Sequence, residues 1–302
     1  MSQSTISRLE LLHTLLGTPL QDAEEETFLL FSQDIPSNNL GFVDAEAETI
    51  EVEIAGQDYT FQQSPGLLKS NSVGGTTGAV LWKVTPLLAS WLSSFPSVLT
   101  DLHTLHTSSV IVELGCGLTG LIGRVLSRSV RRYVLTDQPL IVKHLKANLI
   151  DGALADTSTC TKSKKKSTTT KQDVLQAMPL DWENDAATNL KTSLPADAEI
   201  DLLILCDCVY NEYLVKPLVQ TCVDTCMLGS GAGDRSLRGK QTVVLVAQQL
   251  RSDVIFELFL ETMMEKFEMW RVPEERLAVN LAPTSGYAVH LAVMKNGRGA
   301  SR

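Results

Sequence analysis

Four short stretches of this 302-residue chain combine residue types that can do chemistry. The first is Glu113-Leu114-Gly115-Cys116-Gly117-Leu118-Thr119-Gly120. Its glycines allow a tight turn and let backbone approach a ligand with no Cβ in the way. A helix opening after them would offer N–H groups to a polar ligand. The spacing Gly115-x-Gly117-x-x-Gly120 also matches the dinucleotide pattern, so NAD, FAD and S-adenosylmethionine all stay open, as does a turn with no ligand. The second stretch carries Asp137, 22 residues after Gly115. An acid at that distance can accept hydrogen bonds from both hydroxyls of a ribose, or else cap the helix that follows. The third is Asp181-Trp182, where the indole either stacks on an adenine or packs in a core. The fourth is Asp207-Cys208-Val209-Tyr210, directly after an apolar run. A carboxylate there would orient an incoming ammonium, and a phenol would position the amine for in-line attack on a methyl group. The plainer reading is a helix cap beside a packed tyrosine.

The elements that must position these residues are legible from periodicity. Val110-Ile111-Val112, Tyr133-Val134-Leu135, Val174 to Met178, Asp201 to Cys206, Thr242 to Ala247 and Ala288 to Met294 read as strands. Helical patterns run over Leu118 to Leu126, Leu140 to Leu149, Leu214 to Cys226 and Val254 to Phe267. Strands alternating with helices imply a parallel sheet with right-handed crossovers. Upstream, residues 1–40 read as a helix plus an acidic segment with Glu24-Glu25-Glu26. Ile50, Val52, Ile54, Gly56, Tyr59 and Phe61 spell out a β-hairpin. A Gly/Ser/Thr-rich loop, Ser70 to Gly78, leads into a helix-like stretch from Ala79 to Leu92 interrupted by Pro86. Residues 152–172, with Lys162, Lys164, Lys165, Lys166 and Lys171, read as a mobile insertion loop. The organisation expected is an extension over 1–78 and a catalytic domain over 79–302.

The balance of charge, formally −9, argues against sequence-independent nucleic-acid binding, which needs a basic surface, and suits a basic protein partner. No apolar run is long enough to span a membrane and the N-terminus lacks the order of a secretory signal. The six cysteines, at 116, 160, 206, 208, 222 and 226, read as reduced thiols in a cytoplasmic or nuclear protein. The spacings Cys206-x-Cys208 and Cys222-x3-Cys226 depart from those of zinc-binding pairs, so no metal site is expected. Histidines 13, 103, 106, 144 and 290 form no catalytic grouping.

Taken in order over roughly residues 78–294, the four stretches resemble the family 16 protein lysine methyltransferases, whose catalytic domains have seven-strand Rossmann-like cores. The Asp-x-x-Tyr motif, here Asp207 to Tyr210, is the most discriminating piece. The resemblance implies an α/β fold with an S-adenosylmethionine site. Trp82, Glu113, Gly115, Cys116, Gly117, Asp137, Trp182 and Cys206 would contact the cofactor, and Asp207 and Tyr210 would be catalytic. Gln63-Ser64-Pro65-Gly66, Gly74-Gly75-Thr76-Thr77-Gly78 and Leu81-Trp82-Lys83-Val84-Thr85-Pro86 look like the fungal ribosomal lysine N-methyltransferase 5 branch. Lys83 and Pro86 depart from the wider family pattern. That branch implies a ribosomal protein lysine as substrate, and a basic ribosomal protein suits the acidic chain. A monomer is expected, with the hairpin over 49–62 packed on the core. Three rivals remain: an NAD-dependent oxidoreductase, for which no Tyr-x-x-x-Lys pair appears; a methyltransferase of small molecules; and a non-catalytic module on the same fold.

Overall fold

The computed structural model describes residues 7–36, 41–70, 75–94, 97–158, 174–196, 198–228 and 241–295, with side chains of 151–158 left aside. The seven-stranded sheet grows from the apolar runs. Its strands are β3 (Val110–Leu114), β4 (Arg132–Asp137), β5 (Leu175–Pro179), β6 (Leu202–Cys206), β7 (Val243–Gln249), β8 (Phe267–Arg271) and β9 (Tyr287–Met294). Their order across the sheet is β5-β4-β3-β6-β7-β9-β8. The first five are parallel, and β9 enters antiparallel between β7 and β8. This is a Rossmann-like seven-strand α/β fold. The antiparallel pair at its edge separates it from an all-parallel dinucleotide-binding sheet.

Strands β3, β6 and β7 are buried along their whole length, as continuous apolar runs flanked by helices on both faces should be. The period of two sorts their side chains. Ile111, Leu135 and Ile204 pack on one face with Leu88, Leu92 and Leu121, whereas Val112, Leu205 and Val246 pack on the other with Leu218, Phe256 and Leu260.

The extension forms two helices, Arg8–Leu16 and Ala23–Phe31, and the hairpin β1 (Thr49–Ile54) and β2 (Gln57–Gln62). Each is fastened by a buried polar group. Arg8 donates to the Asp201 carboxylate at 2.6 Å and to the carbonyls of His103 and Gln241, beneath the amino ends of β3 and β6. Glu26 meets His290 at 2.8 Å and Arg271 at 3.6 Å. Burial opposes its ionisation, but the His290 hydrogen bond, with the fields of His290 and Arg271, prevails and holds its carboxyl below the usual range. Glu26, expected in a polar segment, lies in the first turn of a helix capped by Asp22. Asn148 ties the hairpin to the glycine loop, exchanging hydrogen bonds with the Gln62 backbone and donating to the Leu118 carbonyl at 2.8 Å.

Several boundaries differ from expectation. The helix expected to be interrupted at Pro86 runs unbroken over Val84–Ser93. Pro86 falls in its first turn, where an N–H has no intrahelical acceptor to lose. The first glycine-loop helix begins at Leu121 rather than Leu118, since Gly117 and Gly120 hold left-handed φ angles of 66° and 52°. The helix after β4 spans Pro139–Ser158, so the first part of the segment read as a loop is helical; the lysine cluster lies outside the described residues. The helix expected to reach Phe267 ends at Met264, and β8 begins at Phe267.

Candidate active site

The order of the sheet reverses at β3, which has β4 on one side and β6 on the other. In open α/β sheets, ligands bind beyond the carboxyl ends of the strands at such a point. A cavity of about 270 Å³ opens there. Its lining includes Trp82, Gly115, Cys116, Gly117, Asp137, Trp182, Cys206, Asp207 and Tyr210. Nine of the ten residues singled out from the sequence therefore meet at one place.

The tenth, Glu113, does not line it. This residue is 1% exposed, inside the sheet, and its carboxyl accepts the Tyr133 hydroxyl at 2.6 Å. Burial, with the negative field of Asp137, outweighs the Tyr133 hydrogen bond and pushes its pKa up to about 8. Glu113 is thus a neutral core carboxyl at pH 7, behind the loop rather than in front of it.

The glycine loop needs its glycines for space. Gly115 has φ +67°, and a Cβ there would lie 2.9 Å from Cys208 Sγ and 3.2 Å from the Trp182 ring. That contact sets the indole against the loop. Three N–H groups of the loop are turned into the protein. The N–H of Cys116 donates to the Thr136 carbonyl, that of Gly117 to Asp137 Oδ2 at 2.8 Å, and that of Leu118 to the Gly78 carbonyl. Asp137 also accepts the Gln138 N–H at 2.7 Å. These two bonds favour its charged form, yet burial dominates and raises the pKa to about 6. The carboxylate is therefore ionised at neutral pH and under-solvated, a state relieved by a hydroxyl-bearing ligand.

Asp207 follows β6 with a left-handed φ of 59°, strained for a residue with a Cβ. Its N–H donates to the Ala247 carbonyl at 2.8 Å. The expected role, receiving an incoming ammonium, does not match its surroundings. The side chain is 4% exposed, and Arg251 grips it at 2.7 and 2.5 Å in bidentate fashion. Gln248 adds a third donor at 2.9 Å. The same Gln248 amide brackets the Val209 backbone, accepting its N–H and donating to its carbonyl, so the Asp-x-x-Tyr turn is held from below.

Tyr210 is 38% exposed, and its hydroxyl accepts that of Thr77 at 3.2 Å. Partial burial raises its pKa, so it remains a phenol at neutral pH. Cys116 and Cys206 are buried neutral thiols, each pushed well up by burial, and are walls rather than nucleophiles. No group of three or more potential metal ligands occurs among the described residues.

Trp82 is placed by a short antiparallel contact. Gly41 and Val43 exchange backbone hydrogen bonds with Lys83 and Leu81, laying Phe42 on the indole at 4.3 Å between centroids. The indole N–H donates to the Thr77 carbonyl at 2.9 Å. Gln63 supports this strip, accepting the Leu81 N–H and donating to the carbonyls of Asp44 and Ala47. On the same indole lies the Arg251 guanidinium, 4.9 Å from the ring centre. Phe42, Gln248 and Arg251 escaped the sequence reading. The last two carry a signal in retrospect: two glutamines and an arginine at the carboxyl end of an apolar strand. Phe42 carries none, lying forty residues before its partner.

A sequence model of the lysine methyltransferase family matches residues 62–231. Among curated relatives, ribosomal lysine N-methyltransferase 5 of Eremothecium gossypii is 30% identical over 74% of this chain and 81% of its own. The protein of the same name from Zygosaccharomyces rouxii is 28% identical over 68% of this chain and 70% of its own. A Schizosaccharomyces pombe protein named diaminohydroxyphosphoribosylamino-pyrimidine deaminase is 29% identical over 91% of this chain; the chain spans 60% of that protein.

Proposed function

The chain belongs to the lysine methyltransferase family, and we propose that it is an S-adenosylmethionine-dependent protein-lysine N-methyltransferase acting on a basic ribosomal protein in the cytoplasm. The observation that carries the reading is the convergence of Trp82, Asp137, Trp182 and Tyr210 on one cavity at the reversal point of the sheet. The relatives named for ribosomal lysine methylation supply the substrate class, and the formal charge of −9 suits a basic partner.

The residues present fit the cofactor. Asp137 is a desolvated acceptor aimed at the space a ribose would fill, and Trp182 offers an indole beside the glycine loop for an adenine. When bound, S-adenosylmethionine would supply an electrophilic sulfonium methyl group for the lysine nitrogen.

The amine must arrive neutral, against an ordinary pKa of about 10.4. Beside Phe42 and Tyr210 the approach is poor in water, and desolvation disfavours the ammonium and sends its proton to solvent. Tyr210, fixed by Thr77, orients the nitrogen through its phenol oxygen. Asp207 acts indirectly: its carboxylate holds Arg251 and, with Gln248, the turn that carries Tyr210. Rate enhancement then comes from alignment rather than from a strong base.

The test is calorimetric titration with S-adenosylmethionine and, separately, NAD, followed by tritiated-methyl transfer onto ribosomal fractions. Binding of the first ligand alone and label in a lysine of a ribosomal protein is the expected result. Folded protein that binds neither ligand would refute the reading.

A further inference from the structure

We propose that Arg251 is the residue that recognises the α-carboxylate of the cofactor's amino-acid tail, with Asp207 as the positioning residue that holds the guanidinium in place. The proposal rests on the S-adenosylmethionine reading and adds to it the residue on which the tail is read.

Three observations lead to it. First, a carboxylate entering this cavity meets an unfavourable field nearly everywhere. Asp137, Asp181 and Asp207 all line it, and among the described lining residues Arg251 is the one cation. Second, three consecutive backbone N–H groups of the glycine loop, a usual receptor for a cofactor's anionic group, are committed. Cys116, Gly117 and Leu118 all donate within the protein, to Thr136, Asp137 and Gly78. Those three donors do not meet the anion, and Arg251 is the cation among the described lining residues. Third, Arg251 is built in rather than draped across the surface. Its fork is fixed by the Asp207 carboxylate at 2.7 and 2.5 Å, by Gln249 Oε1 at 2.8 Å, and by the Trp82 face at 4.9 Å. A planar guanidinium fixed in this way loses little freedom when a carboxylate arrives.

The placement also orders the cavity. Asp137 and Trp182 stand by the glycine loop and suit the nucleoside. Trp82 and Arg251 stand with the strip Gly41 to Val43 and suit the charged tail. Gly41 is part of the same construction: with φ +91°, a Cβ there would lie 2.8 Å from the Arg251 guanidinium and closer still to Gln249. The extension therefore packs against the arginine from outside, and only glycine allows it to come so near.

The experiment compares S-adenosylhomocysteine with its decarboxylated analogue, two ligands that differ only in the α-carboxylate, by calorimetry on the full chain. Wild-type protein should bind the first more tightly by roughly 10- to 100-fold, the range expected for a hydrogen-bonded charged pair. In Arg251→Met that preference should collapse, with the decarboxylated ligand bound about as before. Arg251→Lys keeps the charge without the fork and should fall between; it also serves if Arg251→Met fails to fold. A wild-type protein that binds both ligands equally, or a variant that keeps the full preference, would overturn the proposal. Folded wild-type protein that binds neither ligand would instead overturn the cofactor reading beneath it. A variant with unchanged ligand preference but tighter binding of the protein substrate would assign Arg251 to competition with the lysine, against the proposal.

Discussion

Replacing Glu113 by glutamine should make the protein more stable at alkaline pH while leaving its cofactor site intact. Glu113 is inside the sheet, bonded to the Tyr133 hydroxyl, with its pKa pushed up to about 8 by burial. In the unfolded chain the same carboxyl titrates near pH 4.3. Between those two values the folded protein keeps a proton that the unfolded chain has released. Its stability must then fall as pH rises, by about 1.4 kcal/mol per unit from this group alone. The contribution is complete below the unfolded value and lost as pH passes through about 8. Over the whole window it amounts to about 5 kcal/mol, an upper bound because the interior relaxes around a buried charge. Glutamine mimics the neutral carboxyl in shape and has no proton to lose. The assay is urea unfolding of both proteins at pH 6, 7 and 8, in which the Asp137 titration near pH 6 is common to both and drops out of their difference, with S-adenosylmethionine affinity measured alongside. Glu113→Gln should flatten the slope, so that the gap between the two proteins widens by about 2–3 kcal/mol from pH 6 to pH 8. Parallel pH profiles would refute the assignment of a neutral buried carboxyl. A large loss of cofactor affinity would restore Glu113 to the ligand site.

Arg8→Ala should lower stability by about 3–5 kcal/mol in urea unfolding, because it strands the Asp201 carboxylate beneath the sheet; a loss typical of a surface pair would show that the first helix is dispensable. Gly115→Ala combines a left-handed φ with a Cβ 2.9 Å from Cys208 Sγ, and should cost about 1–3 kcal/mol and displace Trp182, read as a shift in intrinsic tryptophan fluorescence together with a lower midpoint. Cofactor affinity should be steady above neutrality and fall as pH drops through about 6, because a protonated Asp137 loses acceptor capacity for ribose hydroxyls; calorimetry at pH 7.5 and pH 5 checks it, and equal affinities would remove Asp137 from the site.

Where the signal is local, the amino-acid sequence alone determined the structure. Strands β3, β4, β6, β7 and β9 lie where continuous apolar runs stand, because a strand covered by helices on both faces needs no polar side chain. The turn at Gly115 and Gly117 is likewise local, since few residues other than glycine accept those φ angles. Once the strands are in register, Gly115, Asp137, Trp182 and Tyr210 must gather at their carboxyl ends, which is why the cavity was legible in advance. The period of apolar residues failed where two elements share it. Phe256, Phe259, Leu260, Met263 and Phe267 continue one helical spacing, yet the chain turns after Met264 because β9 needs an antiparallel partner. Pairings across the sheet lay beyond local reading. Asp207 and Arg251 are 44 residues apart and meet because β6 and β7 are neighbours. Phe42 reaches Trp82 because Gln63 and the hairpin carry it there. Glu113 and Asp137 show the same division most plainly. Both are acids on adjacent strands, and a sequence motif treats both as ligands. The tertiary structure turns one toward Tyr133 and the other toward the cavity, and the cost of burying a charge does the rest.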